Sequence, residues 1–109
     1  RFARAISVET VGVIFFDRAG KLTNCNDAFL EMVGYSREEI ESGKIGWRDF
    51  TPDEWIRRSE QALAELKATG RIAPYEKQYF RRDGSRFWGL FAGSKISDEE
   101  TVEYITDIT

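Results

Sequence analysis

At 109 residues the chain has the length of one domain. With 41% hydrophobic and 32% charged residues, it can close a core without a disulfide or metal staple. Its net charge of −3 works against general nucleic-acid binding, and one cysteine, Cys25, excludes an internal disulfide and fits a reducing compartment. No apolar run approaches the roughly 18 residues that span a bilayer, no signal peptide is visible, and residue 1 is Arg. The expectation is a cytoplasmic piece of a larger protein, without direct membrane contact, whose parent can itself be membrane-anchored.

Residues 2–9 predict a short helix with Phe2, Ala5 and Ile6 on one side, too short to be stable undocked. GVIFFD at 12–17 has strand length and β-forming residues, Ala19-Gly20 marks a turn, and KLTNC at 21–25 supplies the partner of an antiparallel hairpin. Asn26 is placed to cap a helix reaching about Val33, with Gly34 at its C-terminal stop. Ser36 and Glu39 have capping-box spacing and open a second helix, which Gly43 is expected to end. Thr51, Pro52 and Glu54 read as N-cap, first position and box partner of a long helix to about Thr69, stopped by Gly70. Trp55, Ala62, Leu63 and Leu66 form its apolar stripe, with Ser59 on the same line.

The last third predicts strands at 74–82, 86–96 and 101–108, the first two joined by the Asp83-Gly84 turn. The whole order is helix, two strands, three helices, three strands: an α+β plan with one antiparallel sheet and helices on one face. Strand 86–96 carries Phe87 and Phe91 on one face and Trp88, Leu90 and Ile96 on the other. A sheet roofed on one side does not need that second apolar face. Residues 2–9 or a second subunit are expected to cover it.

Four segments resemble the PAS family, in order and over nearly the whole chain. Asn26, Ala28, Phe29, Gly34, Tyr35 and Ser36 match its N-x-A-F…G-Y-S run, and WRDFTPDEW at 47–55 matches the T-P-x-E entry to the long helix. RRDGSR at 81–86 matches the R-x-D-G-S turn, and Asp107-Ile108-Thr109 matches the terminal D-I-T. The resemblance implies one PAS domain over 1–109, with 1–11 as an N-terminal flanking helix and 107–109 as the exit to an output segment. It implies a five-stranded antiparallel sheet in the order 2-1-5-4-3 and commonly a pocket under the helices. It also implies sensing or relay, in a homodimer, upstream of an output domain such as a histidine kinase or nucleotide cyclase. Asp107 and Thr109 would take the signal-coupling role.

The residues themselves offer no catalytic constellation. There is no histidine, which excludes a histidine-ligated haem as well as Ser-His-Asp and Cys-His chemistry. Cys25 precedes the first capped helix, outside the N-C-R-F-L-Q pattern of flavin photoreceptors, and reads as a small buried residue. Glu38/Glu39 and Glu99/Glu100 are adjacent pairs that do not face one another. Arg81, Arg82 and Arg86 read as a charged turn guarding a sheet edge. The aromatics are the best pocket candidates: Phe15, Trp47, Phe50, Trp55, Tyr79 and Phe91, with Leu63. No cofactor is required. A small organic ligand is compatible with these residues, and the alternative is a flavin or a haem held without histidine.

Overall fold

The computed structural model describes residues 11–109. The helix expected over residues 2–9, within the flanking segment 1–11, lies outside the described residues. Strands β1 (Val11–Asp17) and β2 (Leu22–Cys25) form the first hairpin. Helices α1 (Asp27–Val33) and α2 (Arg37–Ile40), a 3₁₀ turn (Trp47–Phe50) and helix α3 (Asp53–Thr69) follow. Strands β3 (Arg71–Phe80), β4 (Arg86–Lys95) and β5 (Glu100–Asp107) complete one antiparallel sheet in the order β2-β1-β5-β4-β3. β5 is therefore central, paired with β1 through Ile14–Glu103 and with β4 through Gly93–Glu103.

The helix ends follow their local chemistry. Asn26 accepts from the amide of Phe29, and its side-chain amide also donates to the Val11 carbonyl, so one residue caps α1 and ties it to β1. Gly34 ends α1 at φ 79°, a left-handed conformation that only glycine adopts cheaply. Ser36 and Glu39 close the capping box of α2.

Three boundaries differ from expectation. Helix α2 stops at Ile40 instead of continuing to Gly43, because the Ser42 hydroxyl donates to the Glu39 carbonyl and accepts from the Lys44 amide. The Thr51 box does not form: its hydroxyl donates to the Trp47 carbonyl and closes the 3₁₀ turn, while Glu54 pairs with Arg86. Strand β3 starts at Arg71, three residues early, since Gly70 turns the chain straight into the sheet. Pro74 is accommodated because β3 is an edge strand and the register shifts between Ile72 and Tyr75.

The roofed face is closed by Ile14, Phe16, Leu22, Phe29, Val33, Phe50, Tyr79, Phe87, Phe91 and Ile105, all buried. Phe50 links the helical layer to the sheet, meeting Phe29 and Tyr35 edge-on and stacking on Tyr79 at 5.4 Å. The opposite face keeps Phe15 and Leu90 half-buried and Trp88 and Tyr104 exposed. Strand β4 thus carries Phe87 and Phe91 inward and Trp88 and Leu90 outward.

Candidate functional site: a polar cluster inside the roofed core

Two-residue alternation decides what reaches the core. On β3 the buried positions are Ile72, Tyr75, Lys77 and Tyr79; on β5, Thr101, Glu103 and Ile105 share the roofed face. The period that buries two tyrosines therefore buries a lysine between them, and places a glutamate on the central strand. Helix α3 presents Ser59 and Ala62 to the same region.

Lys77 is 2% exposed and Glu103 4%. The Lys77 ammonium donates to Ser59 Oγ at 2.7 Å and lies 4.6–5.6 Å from the ring centres of Phe91, Tyr79, Tyr75 and Trp47. No ion pair within 4 Å is formed by Lys77 or Glu103 among the described residues. Both residues line a small void together with Trp47, Ser59, Leu63 and Tyr75, with room for about one water molecule.

Burial sets the protonation chemistry. It pushes the Lys77 ammonium down to about 8, against the opposing pull of Glu103. It pushes the Glu103 carboxyl up to about 6, with Lys77 resisting. The Tyr75 phenol is raised by burial and then by Glu103, as is that of Tyr79. The Tyr79 hydroxyl is fully enclosed and has no hydrogen-bond partner. Burying charge and the unpaired Tyr79 hydroxyl at the centre of a small domain is costly, and perturbed groups beside a cavity single out a candidate functional site.

Outside the void lies an open groove of about 610 Å³, bordered by Arg18, Arg48, Lys67, Lys95, Asp17 and Asp98. Phe16, Trp47 and Leu63 line both spaces and separate them. Gly20 lets Trp47 approach: a Cβ there would stand 2.9 Å from the indole nitrogen, at φ 87°.

The sequence candidates divide. Trp47 and Leu63 border the void, Phe91 and Tyr79 lie against the Lys77 ammonium, and Phe50 stacks on Tyr79. Phe15 is on the other face of the sheet, and Trp55 sits at its edge, edge-on to Trp88 and donating to Gln78. Cys25 is buried, its thiol pushed up by burial, with Arg37 anchored on its carbonyl. Arg82 pairs with Glu39, Arg86 with Glu54, and Arg81 bonds back to Ser85 and Arg86. No cluster of metal-ligating side chains occurs among the described residues. A flavin or porphyrin ring exceeds the void, and Phe50, Tyr79 and Phe91 fill the surrounding core, so these residues do not fit such a group as packed.

At the C-terminal end of β5, Asp107 accepts from the Thr109 amide at 2.9 Å. Thr109 Oγ1 accepts from the Trp88 amide, and the Ile108 amide donates to the Trp88 carbonyl. The last residues are thus fastened to β4.

This topology and these motifs meet a direct match: the family model described as PAS domain covers residues 10–109. The chain belongs to the PAS domain family. The hybrid signal transduction protein dokA of Dictyostelium discoideum is 36% identical over 101 residues, 91% of this chain but 6% of that protein. The oxygen sensor protein DosP of Escherichia coli is 31% identical over 110 residues, 95% of this chain and 13% of that protein. A solved PAS domain from Colwellia psychrerythraea superposes with a TM-score of 0.82, over 99% of this chain and 94% of that one, at 16% identity. The PAS domain spans a small part of these two signalling proteins. No described helix is long and apolar enough to cross a membrane.

Proposed function

We propose that this PAS domain is the sensing and relay module of a larger cytoplasmic or membrane-anchored signalling protein. It recognises a small molecule at the Lys77–Glu103 cluster, pairs with a second copy through the outer sheet face, and drives a C-terminal output domain such as a histidine kinase or cyclase. One observation carries the reading: Glu103 lies inside the core on the same central strand that ends at Asp107. A change in what Glu103 contacts is thereby a change in the strand that leads out of the domain. The kinship with a hybrid signal transduction protein and an oxygen sensor supports it.

Phe50, Tyr79 and Phe91 form the apolar wall of the site, and Trp47 and Leu63 its gate. Asp107 and Thr109 hold the exit. Native mass spectrometry of the purified chain tests sensing and pairing together, with a retained small molecule or a concentration-dependent dimer expected. A bare monomer at every concentration, joined with full-length output indifferent to Glu103→Gln and Asp107→Ala, would reject the proposal.

A further inference from the structure

The void at Lys77 is unusually rich in donors. An ammonium has three N–H groups, and one of them is used on Ser59. Ser59 and Tyr75, whose side chains interact with each other, line the same space. The carboxylate that would neutralise Lys77, Glu103, lines the same void but forms no ion pair with it within 4 Å. A buried cation without a close counterion is completed best by an anion that can accept two or more hydrogen bonds. A cation entering the site would meet Lys77 itself.

We propose, building on the sensory reading above, that this void is the head-group subsite for a short-chain monocarboxylate such as formate or acetate. One carboxylate oxygen accepts from Lys77 Nζ, and the other accepts from the Ser59 or Tyr75 hydroxyl. Size argues for a short chain. The void takes about one water, so even formate or acetate requires Trp47 and Leu63, which line it, to move outward, and each further carbon requires more. A longer tail would emerge in a groove rimmed by Arg18, Arg48, Lys67 and Lys95, which gives it little apolar cover.

Two carboxylates in one dry site repel, so the ligand's arrival favours a proton on Glu103. The groups bearing on Glu103 are Lys77, Tyr75 and Tyr79 from β3, with Arg58 of α3 over the Tyr75 ring. Burial already tilts Glu103 toward its neutral form, which then donates to the ligand. Binding therefore takes up about one proton and weakens as pH rises.

The test is a titration of the chain with sodium acetate or formate, followed by backbone amide shifts, against sodium chloride at equal ionic strength. Saturable shifts at Ser59, Lys77 and Glu103 are expected with the carboxylates and not with chloride. Affinity should fall at least about fivefold between pH 5.5 and 7.5. Glu103→Gln should keep binding and flatten that dependence; Lys77→Met should abolish binding while keeping a dispersed spectrum. Should Lys77→Met fail to fold, Ser59→Ala serves, with about a tenfold loss expected. Absence of saturation in the parent chain, equal response to chloride, or unchanged binding in the folded Lys77 or Ser59 variant overturns the proposal. If carboxylates fail while another small molecule co-purifies and Glu103→Gln alters full-length output, the ligand class falls and the sensory reading stands.

Discussion

Lys77 and Glu103 place two desolvation costs inside the core. Replacing Lys77 alone by Met leaves Glu103 and Ser59 without their buried counterpart, with an expected loss of about 1–3 kcal/mol in urea unfolding. The double variant Lys77→Met/Glu103→Leu is expected to recover that loss and to match or exceed the parent, because it removes both desolvation costs. A double variant as weak as the sum of the singles would show that the two residues act independently. The pH dependence follows from the same pair. Glu103 holds its proton more tightly when folded, so its contribution is present at low pH and lost as pH rises through about 6. Lys77 holds its proton less tightly when folded, so its cost persists at neutral pH and is relieved as pH rises beyond about 8. The difference in stability between parent and double variant should therefore be most unfavourable to the parent between about pH 6 and 8. A flat difference across pH 4–10 would contradict this. The exposed carboxylates Glu39, Glu54 and Asp83 are held below their usual range by Ser36, Arg86 and Ser85, and their acid-side losses cancel in that subtraction.

At the level of elements, the turns and caps are local decisions. Gly34→Ala makes only an ordinary van der Waals contact, with Arg82 Cβ at 3.8 Å, so the positive φ alone sets the loss at about 1 kcal/mol. Gly20→Ala adds a collision with the Trp47 indole to the same strain and should cost visibly more in thermal melting. These positions were legible because their cause sits within a few residues: Asn26, Ser36 and Glu39, Gly34 and Gly70 all act where the pattern places them. Thr51 was misread because its hydroxyl had two acceptable uses, and the choice depended on a 3₁₀ turn that the sequence pattern does not announce. Helix α2 was overextended for the same reason, with Ser42 rather than Gly43 deciding its end.

For the whole molecule, the single roofed face followed from the order of elements and the strand order from the resemblance, while the buried Lys77–Glu103 cluster did not follow from the aromatics. Alternation along Tyr75-Glu76-Lys77-Gln78-Tyr79 does put Lys77 with the tyrosines, and that was the available signal. It needed the inward phase of β3, which the bulge before Tyr75 obscures. Phe15 and Trp55 have the aromatic character of pocket residues, but that character does not tell which face of a sheet a residue takes. The outer face yields its own prediction. Trp88→Lys with Tyr104→Lys should lower stability only modestly, by about 1 kcal/mol for the lost Trp55–Trp88 contact, and should shift sedimentation toward the monomer. An unchanged sedimentation profile would remove that face from the pairing proposal. In the full-length parent, Asp107→Ala frees the Thr109 amide and should alter output without lowering the stability of the domain by more than about 1 kcal/mol.

The fastening of Thr109 and Ile108 onto the main chain of Trp88 turns one residue of β4 into a built-in gauge. When the tail peels off, the Trp88 amide loses its acceptor and trades its proton with solvent faster. The exchange rate of that single amide therefore reports, without a probe attached elsewhere, how much of the time the departing chain is latched.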